Sequence, residues 1–173
     1  MTRTKKLVFL ALITSMALVI HYLEGYFPSL MPGIPGARLG LANIFTVVML
    51  CLFGWREALV VIVLRSVLGP ILGGAPTSIF YSLAGGLISG AVMFILVRCW
   101  IKQLSLYSIS IAGAIFHNVG QLLVASVVLN NFYLFTYLPV MTGIAIPTGL
   151  FVGFSSIFIL KFIRQAKVVP DKK

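Results

Sequence analysis

Apolar residues along this chain come in long continuous stretches, without the period-2 alternation of half-buried strands or the single apolar stripe of surface helices. Pro, Gly and charged residues interrupt them and leave apolar segments at about 7–27, 39–53, 58–72, 77–97, 108–129 and 139–163. A membrane-crossing helix needs about 20 such residues. The pattern therefore predicts an all-α fold: one integral membrane domain over residues 1–173, built as a bundle of six transmembrane helices. The first segment follows Arg3, Lys5 and Lys6, as the apolar core of a signal peptide would. It is too long for that role and no Ala-x-Ala cleavage site follows, so it reads as a retained helix. After it, Pro28, Pro32 and Pro35 with Gly33 and Gly36 exclude helix and predict a loop up to Arg38.

Composition agrees with the pattern. The chain is 60% hydrophobic and 9% charged, with a mean hydropathy of +1.11. That is too little charge to cover a water-soluble surface. The formal net charge of +10 raises nucleic acid as a partner. Its distribution argues against that. With six crossings, every basic residue except Arg38 and Arg65 falls on one face, which places both termini in the cytoplasm and reads the chain as a multi-pass membrane protein. Cys51 and Cys99 have no CxxC or Cys/His spacing and read as reduced thiols without a role.

Several chemistries lack their residues. No phosphate-binding loop of the Gly-x4-Gly-Lys-Ser/Thr type is present. The only aspartate is Asp171, in the polar tail, so neither magnesium-dependent diphosphate chemistry nor a Ser/His/Asp set is available in the membrane. The chain is expected to be no enzyme and to hold no metal or cofactor. A haem between His21 and His117 is the weakest reading, because counting about 1.5 Å per residue puts the two at different depths. A proton relay through His21 and Glu24 stays open.

The remaining strongly polar residues fall in the outer half of the predicted bundle. His21 and Glu24 lie one turn apart on the first span, Arg38 and Asn43 at the mouth of the second, and Arg65 in the outer part of the third. His117 and Gln121 share a face of the fifth span, with Asn118 adjacent. Facing lipid, each would be costly, so they are expected to face inward and one another. Span three sharpens the point, because its aliphatic residues barely offset a central arginine costing up to about 3 kcal/mol. Asn43, Asn118 and Gln121 read equally as helix-to-helix glue or as ligand contacts. His21 and Glu24 either pair with each other or serve the ligand. Arg38 and Arg65 have only Glu24 as a nearby carboxylate, which leaves a positive charge for an anionic ligand to neutralise.

Small residues form a second pattern. Gly86-x3-Gly90, extended back to Ser82, and Gly149-x3-Gly153 suit close packing inside the bundle. Ala11-x3-Ser15, continued by Ala17, reads either the same way or as a docking stripe for another membrane subunit.

The run from Pro32 to Asn43 (PGIPGARLGLAN), Arg65 with Gly69 and Gly73-Gly74, and the run from Gly113 to Gln121 (GAIFHNVGQ) resemble a family of small bacterial membrane proteins described as heptaprenyl diphosphate synthase component I or Gx transporter. That family is similar to the substrate-binding S components of energy-coupling factor (ECF) transporters. The resemblance implies six helices holding a small molecule near the outside. It also implies a stripe on span one, matched by Ala11 and Ser15, that meets a transmembrane coupling subunit driven by two ATPases. The leading expectation is thus the substrate-binding subunit of an uptake system for an anionic or vitamin- or isoprenoid-like molecule, its partners being that molecule, lipid and the coupling and ATPase subunits. The alternative is a non-catalytic membrane partner in prenyl diphosphate and menaquinone synthesis.

Overall fold

The computed structural model describes residues 2–26 and 38–166, so residues 28–37 of the loop expected up to Arg38, and the tail from Lys167, lie outside the described residues. The described residues form six α-helices: α1 (Arg3–Glu24), α2 (Asn43–Leu52), α3 (Trp55–Leu72), α4 (Ile79–Trp100), α5 (Leu106–Val128) and α6 (Leu138–Gln165). Short 3₁₀ turns, Pro76–Ser78 and Phe132–Tyr137, lead into α4 and α6. α1, α4, α5 and α6 are long and apolar enough to cross a membrane.

Local chemistry sets several of the boundaries. The Thr2 side chain accepts from the Lys5 N–H at 3.4 Å and starts α1 well before the expected apolar onset. Ser105 does the same for α5, accepting from the Ser108 N–H at 3.2 Å. Between α2 and α3 the chain reverses at Gly54, whose φ of 110° is open to glycine and strained for other residues.

Helices consecutive in the chain run antiparallel, and several of them pack through glycines. Gly149 and Gly153 of α6 lie against the α5 backbone at Ile111 and Tyr107, while Gly120 of α5 lies against α4 at Ala84 and Gly85. Gly86 and Gly90 face Ile62 of α3, so both glycine pairs are internal, as expected. At one end the rings of Phe9 and Phe53 meet with centroids 5.6 Å apart, and those of Trp55 and Phe94 at 5.4 Å. Lys6 and Glu57 form an ion pair at this same end, tying α1 to α3. Lys161, Arg164, Arg98 and Lys102 are also here, and it is called the basic end below. Because the Lys6 and Glu57 side chains keep 38% and 19% of their surface exposed, Glu57→Gln should lower stability by about 1 kcal/mol, read from a thermal melt of the detergent-solubilised protein.

Two expectations need correction. The second span was expected over 39–53, but helix begins only at Asn43, and α2 is about 15 Å long. Nearly all of α2 is buried, from Asn43 through Leu50 and at Leu52, so it is a half-helix enclosed by the others instead of a lipid-facing span. Residues 38–42 ahead of it are non-helical backbone, tolerable because neighbouring helices hydrogen-bond and partly cover them. The α1 stripe also splits. Ala11 and Ser15 are exposed, with the Ser15 hydroxyl donating to the Ala11 carbonyl at 2.9 Å, whereas Ala17 is fully buried and faces the bundle.

Candidate functional site

The main apolar core fills the basic end and the middle of the bundle, and a smaller one around Tyr81, Leu122, Ala125 and Met141 fills the far end. Between them sits a connected polar cluster built on the short segment Arg38–Leu41.

Three helices grip that segment. From α1, the Glu24 carboxylate accepts the Leu41 N–H, and the His21 carbonyl accepts from the Arg38 guanidinium. From α5, the Gln121 side-chain amide makes a two-way contact with the Arg38 backbone, accepting from its N–H at 3.2 Å and donating to its carbonyl at 3.3 Å. Gln121 also bonds the His117 ring, Nε2 to Nε2, at 2.8 Å. Gly40, at φ +79°, comes so close to the His117 imidazole that a Cβ there would stand 2.9 Å from its Cδ2. From α3, the end of the helix passes beneath Arg38, with the Gly73 Cβ position 3.7 Å from Nη2.

The second arginine is held more deeply. Arg65 is 1% exposed, and its Nη2 donates to Asn43 Oδ1 at 2.7 Å. The Ser89 hydroxyl of α4 donates more weakly to the same oxygen, at 3.4 Å. Among the described residues no nitrogen of Arg38 or Arg65 lies within 4.0 Å of a carboxylate oxygen. Arg65 Nε, Asn43 Nδ2, His21 Nε2 and Glu24 Oε2 are buried and have no protein partner. A dry polar atom of this kind costs about 1–3 kcal/mol, more when charged, so the cluster is built to receive a further polar group.

Of the sequence candidates, His21, Glu24, Arg38, Asn43, Arg65, His117 and Gln121 come together here. His21 and Glu24 do not pair with each other; each engages the Arg38–Leu41 segment instead. Asn118 departs from its neighbours, its Nδ2 donating to the Met141 carbonyl of α6 at 3.0 Å, so it ties α5 to α6. Unanticipated members are Ser89 and the glycines that make room. The His21 ring lies over Gly69, and His117 lies between Gly40 and Gly85, leaving no space at any of the three for a side chain. Gly69 stands out in the sequence only within the family-like motif with Arg65, and Gly85 carries no local signal beyond being small at a helix-facing position. We expect Gly69→Val to displace the His21 ring and to lower ligand affinity and thermal stability together, which titration and melting of one preparation would read.

Residues 13–159 match the family model described as heptaprenyl diphosphate synthase component I. No curated protein and no solved structure matches the chain.

Proposed function

The chain belongs to the heptaprenyl diphosphate synthase component I family, and from that premise we propose that it is a non-catalytic membrane subunit that binds an anionic small molecule in its polar cluster. The observation that carries the reading is Arg65: a buried guanidinium with one neutral acceptor, an unpartnered Nε and no carboxylate beside it. Arg38, half-buried above it, would supply the second positive charge, and Asn43, His117 and Gln121 the hydrogen bonds that orient the guest. Planar guanidinium forks suit a phosphate, diphosphate or carboxylate.

The setting follows first from the family. Its description favours a membrane partner of prenyl diphosphate synthesis, with the ligand a diphosphate or a precursor of one. A second reading is supported by depth. If the bundle spans the membrane with its basic end facing the cytoplasm, the cluster lies in the outer half, where an uptake subunit of the ECF type would capture its solute. In that reading the exposed Ala11 and Ser15 stripe would meet the coupling subunit carrying two ATPases.

Mass spectrometry of the gently purified protein tests the binding proposal. The wild type should retain an anionic small molecule that Arg38→Ala loses, and equal retention by both would defeat it. Affinity capture from native membranes separates the settings. A soluble prenyl diphosphate synthase in the eluate supports the first, and ATPases with a membrane coupling subunit support the second. Topology has its own test. The native Cys99, exposed at the basic end, should react with a membrane-impermeant maleimide only after the cells are permeabilised, whereas a cysteine placed at the exposed Asn131 should react from outside.

A further inference from the structure

A second cavity lies at the basic end, remote from the polar cluster. It is a half-open hollow of about 600 Å³ between the end of α2, the α4–α5 turn, the start of α5 and the last turns of α6. Its walls are mostly apolar, with Leu104, Leu106 and Leu160 among them, and Cys51 lies on the α2 side. Its charge comes from Lys161 and Arg164, three residues apart and therefore on one face of α6. Both are exposed, and no carboxylate lines the space among the described residues. Glu57 is committed to Lys6 on α1, and Glu24 belongs to the polar cluster. Arg98 and Lys102, exposed beside the α4–α5 turn, add positive potential without lining the cavity.

Cations at the end of α6 also complement its dipole, which accounts for their sign. The dipole does not account for an apolar hollow of this size beneath them. A cavity with greasy walls and a cationic rim, at the level where helices leave the hydrocarbon, matches a molecule with an apolar tail and a phosphate head. We propose that this cavity is a binding site for a phosphate-headed amphiphile, with Lys161 and Arg164 on the phosphate and Leu104, Leu106 and Leu160 against the start of the chain.

Two sources share that chemistry, an anionic phospholipid and a prenyl diphosphate, and the test separates them. Purified protein carrying Arg65→Met, which disables the other site, is titrated in detergent with four probes: short-chain phosphatidylglycerol, farnesyl diphosphate, short-chain phosphatidylcholine and inorganic diphosphate. At least one of the first two should bind tenfold or more tighter than both controls, and the tighter of them identifies the source. Lys161→Gln/Arg164→Gln should weaken that binding by about thirtyfold. Leu104→Trp, which fills the hollow and keeps both charges, should also weaken it. Phosphatidylcholine binding as tightly as the anionic amphiphiles would overturn the role of the cations, and inorganic diphosphate binding as tightly would overturn that of the walls. Retained affinity in the double variant, with an unchanged melting temperature, would sink the proposal regardless of the fate of the Arg65 site.

Discussion

Replacing Arg65 with methionine is expected to weaken anion binding by about thirtyfold or more while leaving the ligand-free bundle as stable as before, or more so. The two halves of that result rest on one imbalance. A guanidinium taken out of water loses several kcal/mol of solvation, and one neutral acceptor, Asn43 Oδ1 at 2.7 Å, repays little of it. Methionine keeps a stem of similar length and adapts to an irregular cavity, so the packing lost is small. Exchanging poorly compensated buried ions for apolar residues is commonly neutral or stabilising by about 1–4 kcal/mol. Asn43 would lose one hydrogen bond, worth about 1–2 kcal/mol, and keep the weaker one from Ser89. The ligand-free melting point should therefore hold or rise.

The ligand, in contrast, would lose the charge that the site withholds from every other partner. Removing one member of a buried charge pair costs about 2–5 kcal/mol, or about 30-fold to more than 1,000-fold in affinity. Arg65→Lys should fall between the two, because an ammonium restores the charge without the planar fork. If ligand-free Arg65→Met instead melts several kcal/mol less stable and still binds, then Arg65 is structural and the site reading fails. The comparison separates a residue kept for a guest from one kept for the fold.

How much of this was legible in advance depended on the range of the forces involved. Depth counting along apolar segments brought Arg38, Arg65, His21, Glu24, Asn43, His117 and Gln121 to one level, because hydrophobic length and the cost of lipid-facing charge are local and additive along a helix. It overextended α2. Leu39 to Ala42 is as apolar as the helix that follows, but the bonds that hold it non-helical come from far along the chain: Glu24 to Leu41, seventeen residues away, and Gln121 to Arg38, eighty-three. No local pattern contains those partners. Asn118, which read equally as helix glue or as a ligand contact, serves as glue for a simpler reason. One residue along a helix is about 100° around it, so a neighbour of His117 faces α6 when His117 faces the cluster. Gly40, Gly69 and Gly85 went unremarked as site residues because their contribution is absent volume. Composition records a glycine there and cannot show which ring occupies the space.

That absent volume is also what the helix packing depends on, and it yields the second large effect. Gly120→Val should disrupt the α4–α5 contact and cost about 3 kcal/mol of stability, near the upper end for overpacked cores. A Cβ at Gly120 would stand 2.8 Å from the Ala84 carbonyl oxygen and 2.8 Å from the Gly85 Cα. Both are backbone atoms, so no rotamer change relieves the clash and the helices must separate. Separation there would also loosen His117, which packs on Gly85. Gly143 of α6 is the matched control, having no atom within 4 Å of its Cβ position. Gly143→Ala should be neutral or gain up to about 1 kcal/mol from helix propensity. The measurement is thermal or denaturant unfolding of both variants in one detergent. Equal melting temperatures for Gly120→Val and the wild type would mean that α4 and α5 do not meet through this glycine, and the placement of His117 against α4 would fall with that contact.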